Sequence, residues 1–175
     1  MQIKKTKIKN LYLIKIKGFK DDRGFFFRNY CKKKLSPIFK KNFVQSNISI
    51  NKKKFTLRGF HYQKEPTREH KLITCISGKI FNVVIDLRKN SKTYGNVVKF
   101  RMSPNNNQSL LIPAGCANAF MTLQKNTVIH YLMSDYYKPY KNRSFNYLSD
   151  SFKIKWPNKP SSISLDDLNS KFLKF

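Results

Sequence analysis

Residues 3–16 alternate Ile and Leu with Lys, a period of two that predicts β-strands. Asp21-Asp22-Arg23-Gly24 reads as a turn, and Phe25-Phe26-Phe27 opens another extended piece. The stretch 29–39 has room for a short helix, which Pro37 would end. From Phe43 to Ile50 the strand period puts Gln45, Asn47 and Ser49 on one face. Such a polar row is either solvated surface or the lining of a polar cleft.

Residues 55–63 read as the next strand. Arg58 and His61 are three apart, so a regular strand points them to opposite faces. If both serve one pocket, the strand must bulge or end there, and Gly59 is a natural place for it. The run 72–88 predicts a hairpin turning near Ser77-Gly78, with Phe81, Val83, Ile85 and Leu87 on one face. A loop over 90–96 precedes short strands over 97–103, 108–115, 118–123 and 127–133. In the last of these Ile129, Tyr131 and Met133 share a face, and His130 points the other way. Ser164 with Asp167 resembles a helix capping box, so a short helix is expected from about Leu165. Many short strands without repeat or linker predict one all-β domain over 1–175, a sandwich or barrel such as a jelly roll.

Length is sufficient for a hydrophobic core. No run approaches the ~18 apolar residues that would span a bilayer. The lysines of the first strands also interrupt what would be the apolar core of a signal peptide. Cys31, Cys75 and Cys116 are odd in number and lack metal-ligand spacing. They read as free thiols in a reducing compartment, hence a cytoplasmic location. The net charge of +27 invites a nucleic-acid or membrane reading. The lysines, however, are spread from end to end among abundant Asn, Ile, Phe and Tyr, with no helix-turn-helix, zinc-finger or RNP signature. No specific nucleic acid and no membrane partner is expected. The same field would favour a small anionic substrate.

His61, His70 and His130 are the only histidines, and none are two apart. With no cysteine cluster either, no metal is expected. P-loop, dinucleotide and serine-hydrolase motifs are absent from the sequence. Acid–base chemistry remains. His61 lies in Leu57-Arg58-Gly59-Phe60-His61-Tyr62-Gln63, where aromatic neighbours could hold it neutral and ready to take a proton. A structural histidine bonded to a backbone carbonyl fits the residues as well. Tyr131 reads as an acid or as a core tyrosine, and Lys71 as a site cation or a surface lysine.

The run 57–63 resembles the LRGxHYQ segment of the dTDP-4-dehydrorhamnose 3,5-epimerase family. Other pieces follow in that family's order: Asp21 to Phe27, Phe43 to Ser49, Lys71-Leu72, 83–95, Leu111 to Phe120, 128–139, Ile154 to Pro157, and Ile163 to Asp167. The resemblance implies a cupin-type jelly roll, usually a homodimer sharing strands, acting without a cofactor on a nucleotide-linked 4-keto-6-deoxy sugar, dTDP by preference. It implies His61 as base, Tyr131 as acid and Lys71 as the cation on the enolate. Arg58 and Arg23 would bind phosphate and sugar oxygens. Gln45, Asn47 and Asn118 would hydrogen-bond the ligand, and Phe26 and Tyr137 would pack against it. Three positions depart from the family pattern. Arg28 stands for a Glu, Asn118 for a His, and Ser149 for the carboxylate counted back from Ile154-Lys155-Trp156-Pro157. The neighbouring Asp150 is then the candidate partner of His61. A non-catalytic binding module on the same fold is the competing reading.

Overall fold

The structure, a computed structural model, describes residues 1–64 and 69–174. The strands are β1 (Gln2–Lys5), β2 (Tyr12–Lys15), β3 (Gly18–Asp21), β4 (Gly24–Phe27), β5 (Gln45–Asn51), β6 (Leu57–Gln63) and β7 (Lys71–Ser77). They continue with β8 (Ile80–Asp86), β9 (Val97–Met102), β10 (Gln108–Ile112), β11 (Cys116–Thr122), β12 (Thr127–Met133) and β13 (Asn142–Ser144). Among the described residues two single-turn α-helices join them, α1 (Lys32–Leu35) and α2 (Leu165–Leu168).

Two antiparallel sheets pack face to face. One has the order β1-β2-β10-β7-β12-β5 and the other β13-β6-β11-β8-β9. From β5 to β8 the chain changes sheet at every step, which is jelly-roll connectivity. The expected 72–88 hairpin is therefore not one. β7 pairs with β10 and β12, whereas β8 pairs with β11 and β9. The turn at Ser77-Gly78 is a corner between sheets. Alternation along two consecutive strands looks the same whether they pair or face each other across a core, so the sequence pattern could not separate the cases.

The inner faces meet in a core of Ile73, Cys75, Leu110, Ile112 and Ile129 against Ile80, Val84, Cys116 and Phe120. The outer faces are covered too. Phe60, Phe81, Val83 and Ile85 lie under Phe145, Phe152 and Trp156, with Phe60 and Phe145 stacked at 4.7 Å. Leu72, Leu111 and Ile14 lie under Leu35 and Phe39. Double coverage explains why β8 reads as an almost unbroken apolar run. The β3–β4 ribbon pairs with neither sheet and leaves Phe19 and Phe26 well exposed. Among the described residues, no helix is long and apolar enough to cross a membrane.

Candidate active site

Which side chains face the gap between the sheets follows from the registers. Cys116 and Phe120 of β11 point into the core, so Asn118 between them does too. His61 lies opposite Asn118, and Arg58 lies opposite Phe120. Three steps along β6 thus match two along β11. The extra residue is a β-bulge that turns both Arg58 and His61 inward. Gly59 sits at the bulge with φ +107, and an added Cβ there would come within 2.6 Å of the Asn118 carbonyl oxygen. Only glycine fits this close approach. Of the two ways for Arg58 and His61 to share a side, a bulge or a strand end at Gly59, the structure has the bulge.

On the facing sheet Tyr131 shares the inner face with Ile129. Asn47 is opposite Tyr131, Gln45 and Lys71 are opposite Met133, and Ser49 is opposite Ile129. The polar row of β5 therefore lines the interior rather than the outer surface. Gln45 Nε2 donates to Asn47 Oδ1 at 3.0 Å, and Gln45 Oε1 accepts the Tyr137 backbone N–H at 3.0 Å. Tyr137 itself is largely exposed, at the rim. Arg58 spans the gap, its Nε donating to Asn51 Oδ1 at 2.8 Å. Burial raises the Tyr131 phenol above its ordinary range, against the opposing charge of Arg58, so it holds its proton at neutral pH.

The partner of His61 is Asp167. The Nε2–H donates to Asp167 Oδ1 at 2.6 Å, and the Gly59 N–H donates to Asp167 Oδ2 at 3.0 Å. This corrects the expectation of Asp150, which lies exposed in a 3-10 turn over Asp150–Phe152. The Ser164–Asp167 motif was legible only as a cap. The Ser164 hydroxyl does accept the Asp167 N–H at 3.2 Å, but the Asp167 carboxylate is turned to β6. Burial pushes that carboxyl up. The hydrogen bond and charge of His61, with the Gly59 amide and Ser164, outweigh burial and hold it below the ordinary range. A carboxylate can only accept, so Nε2 carries the ring proton and Nδ1 keeps the lone pair in the neutral ring.

Lys71 is held by a residue that sequence reasoning missed. Its Nζ lies 3.3 Å from the buried Glu69 carboxylate, which also accepts from Gln63 Nε2 at 2.6 Å. The signal was present: Glu69 is two before Lys71 in a chain with only 9 acidic residues. Burial raises the Glu69 carboxyl, the Lys71 charge opposing it. Asn118 is buried, and its Nδ2 donates to Asn82 Oδ1 at 3.0 Å and to the Val83 carbonyl at 2.9 Å. Arg23 and Phe26 are not brought to this group within the chain. The Arg23 side chain, 90% exposed on the ribbon, pairs with Asp21 at 2.6 Å. Among the described residues no cluster of three metal-ligating side chains occurs.

A jelly-roll sandwich whose inner walls hold a carboxylate-backed imidazole, a protonated phenol and a lysine defines a class: β-sandwich proteins equipped to move protons on a small polar ligand. The family model for dTDP-4-dehydrorhamnose 3,5-epimerase matches residues 5–174, and the chain belongs to that family. It is 34% identical to the dTDP-4-dehydrorhamnose 3,5-epimerase of Shigella flexneri over 173 residues, 98% of this chain and 95% of that protein. It superposes on the Bacillus anthracis dTDP-4-dehydrorhamnose 3,5-epimerase, solved with TDP and pyrophosphate, with a TM-score of 0.94 at 33% identity, covering 98% of this chain and 99% of that one. The Legionella pneumophila dTDP-6-deoxy-D-glucose-3,5-epimerase, solved with dTDP-4-keto-L-rhamnose, gives 0.92 at 33% identity, covering 98% and 92%.

Proposed function

We propose that this chain epimerises a dTDP-linked 4-keto-6-deoxy sugar at C3, C5 or both. The observation that carries the reading is that His61, backed by Asp167, and Tyr131 project into one gap from facing sheets. A C–H beside a ketone is acidic because its anion is an enolate, and inversion needs a base on one face and an acid on the other. His61 Nδ1 removes the proton, and the imidazolium formed is stabilised by Asp167. Lys71 stabilises the enolate oxygen. Tyr131 returns a proton from the opposite face. One proton leaves carbon and one returns, so no redox cofactor enters the balance. Arg58, Gln45 and Asn47 hold phosphate and sugar oxygens, and Asn118 adds a hydrogen bond from the wall beside His61.

The working unit is a homodimer in the cytoplasm. An isolated two-stranded ribbon with exposed phenylalanines has little stability of its own. Docked on a second copy, the β3–β4 ribbon buries those rings and carries Arg23 and Phe26 to the partner's site, with Tyr137 at the rim. The competing reading, a non-catalytic binding module, leaned on Ser149 and Asn118. The hydrogen bond from His61 to Asp167 removes the first of these supports.

The test is incubation with dTDP-4-keto-6-deoxyglucose in deuterated water, followed by NMR at each carbon. Deuterium at C3 or C5 with inversion is the expected result, and its position distinguishes one inverted centre from two. No exchange at either carbon, with the sugar nucleotide bound, would establish the binding module instead.

A further inference from the structure

Asn51 is buried at the end of the polar row on β5 and has no role in the proton transfers. Its amide is held in one orientation. Nδ2 donates to the Thr127 carbonyl at 3.1 Å and to the Ser49 carbonyl at 3.2 Å. A flipped amide would set oxygen against both carbonyls, so Oδ1 must face the gap between the sheets. There it accepts from Arg58 Nε. The contact crosses from one sheet to the other.

We propose that Asn51 is a positioning residue: it locks the Arg58 guanidinium across the gap beside the Tyr131 phenol, with its two terminal nitrogens left, among the described residues, for an anionic ligand. An arginine side chain is long, and a fork that binds paired oxygens works best when its plane is set in advance. Engaging Nε fixes that plane while leaving the outer edge open. The same placement keeps the Arg58 charge next to Tyr131, where it opposes the rise that burial imposes on the phenol. Only the identity of the anion, a nucleoside diphosphate, rests on the epimerase reading; the locking of Arg58 does not.

The test uses Asn51→Leu, which removes the acceptor at similar volume, and Asn51→Asp, which keeps it while setting its second oxygen against the Thr127 and Ser49 carbonyls, at a cost in melting temperature. In the ligand-free protein, the Arg58 Nε–H is followed by arginine-selective 15N NMR, with Arg58→Lys for assignment. A resolved, exchange-protected signal is expected in the wild type and in Asn51→Asp, and rapid exchange in Asn51→Leu. The Kd for dTDP should rise about tenfold in Asn51→Leu, as for a lost hydrogen bond to a charged group. It should stay within about threefold in Asn51→Asp, which retains that acceptor. A merely structural role would lower the melting temperature and leave both readouts unmoved. Equal protection of Arg58 Nε–H in the wild type and Asn51→Leu overturns the proposal. Should Asn51→Leu fail to fold, Asn51→Ser, too short to reach Arg58, carries the same test. A wild-type protein without exchange activity would strike the epimerase reading and leave the NMR result to decide this one.

Discussion

Replacing Asp167 by Asn alters a single atom in shape and two functions in chemistry. The carboxylate now accepts from His61 Nε2 at 2.6 Å and from the Gly59 N–H at 3.0 Å. An amide cannot accept from both through the same two positions. If its oxygen stays on Gly59, its NH2 faces His61 Nε2. That nitrogen must then become the acceptor, and the ring proton moves to Nδ1, where the base is needed. If its oxygen stays on His61, two donors face each other at Gly59, a buried mismatch worth about 1–3 kcal/mol. The first arrangement is therefore favoured, and it places the wrong tautomer in the site. Loss of a hydrogen bond to a charged group costs about 1.5–3 kcal/mol, or roughly ten- to a hundredfold in rate. A wrong tautomer in the comparable Ser-His-Asp arrangement costs roughly 10⁴-fold. Asp167→Asn should thus slow deuterium exchange by about 10²- to 10⁴-fold, with dTDP affinity little changed. Asp150→Asn, which alters an exposed residue outside the site, should exchange at the wild-type rate. If Asp167→Asn retains the wild-type rate and pH profile, the carboxylate does not set the tautomer and the account of the base is wrong.

Other outcomes follow from the same geometry. Tyr131→Phe removes the acid from one wall and leaves the base on the other. Deuterium should still enter by His61 with retention, while inverted product falls by about a hundredfold or more; equal loss of exchange and inversion would contradict the two-wall division. Acid stability should depend on Asp86. Burial pushes its carboxyl up, but hydrogen bonds from Arg88, Thr93 and Ser91 hold it at about 2. An unfolded Asp titrates near ~3.9, so this contribution is complete above that pH and is lost as pH falls through about 2. Asp86→Asn should cost about 3 kcal/mol at neutral pH and flatten the acid limb between those values in a denaturation series. An unchanged acid limb would show that the Asp86 network does not govern it.

Much of the site could be read along the chain, because strand periodicity is local. It placed Gln45, Asn47 and Ser49 on one face, set Tyr131 with Ile129, and named Gly59 as the place for an irregularity if Arg58 and His61 were to serve one pocket. It could not say that the face of Gln45 is the inner one. A polar row is the same pattern whether water or a ligand fills the space before it, and the pairing of β5 with β12 decides which. It also could not tell a hairpin from a sheet-crossing corner at Ser77-Gly78, since both are strand, turn, strand.

The contacts that complete the chemistry were beyond local reading for a different reason. His61 and Asp167 are 106 residues apart, and Asp167 has a sufficient local explanation as a helix cap. No periodicity links a residue to a partner brought beside it only when the C-terminal segment closes over β6. Arg58 meets Asn51 across two sheets, and the packing of those sheets, not the sequence interval, sets the distance. The succession of strands along the chain and the presence of an imidazole, a phenol and a lysine were thus properties of the sequence. Which nitrogen of the imidazole bears the proton, and which carboxylate holds it there, were decided only by folding.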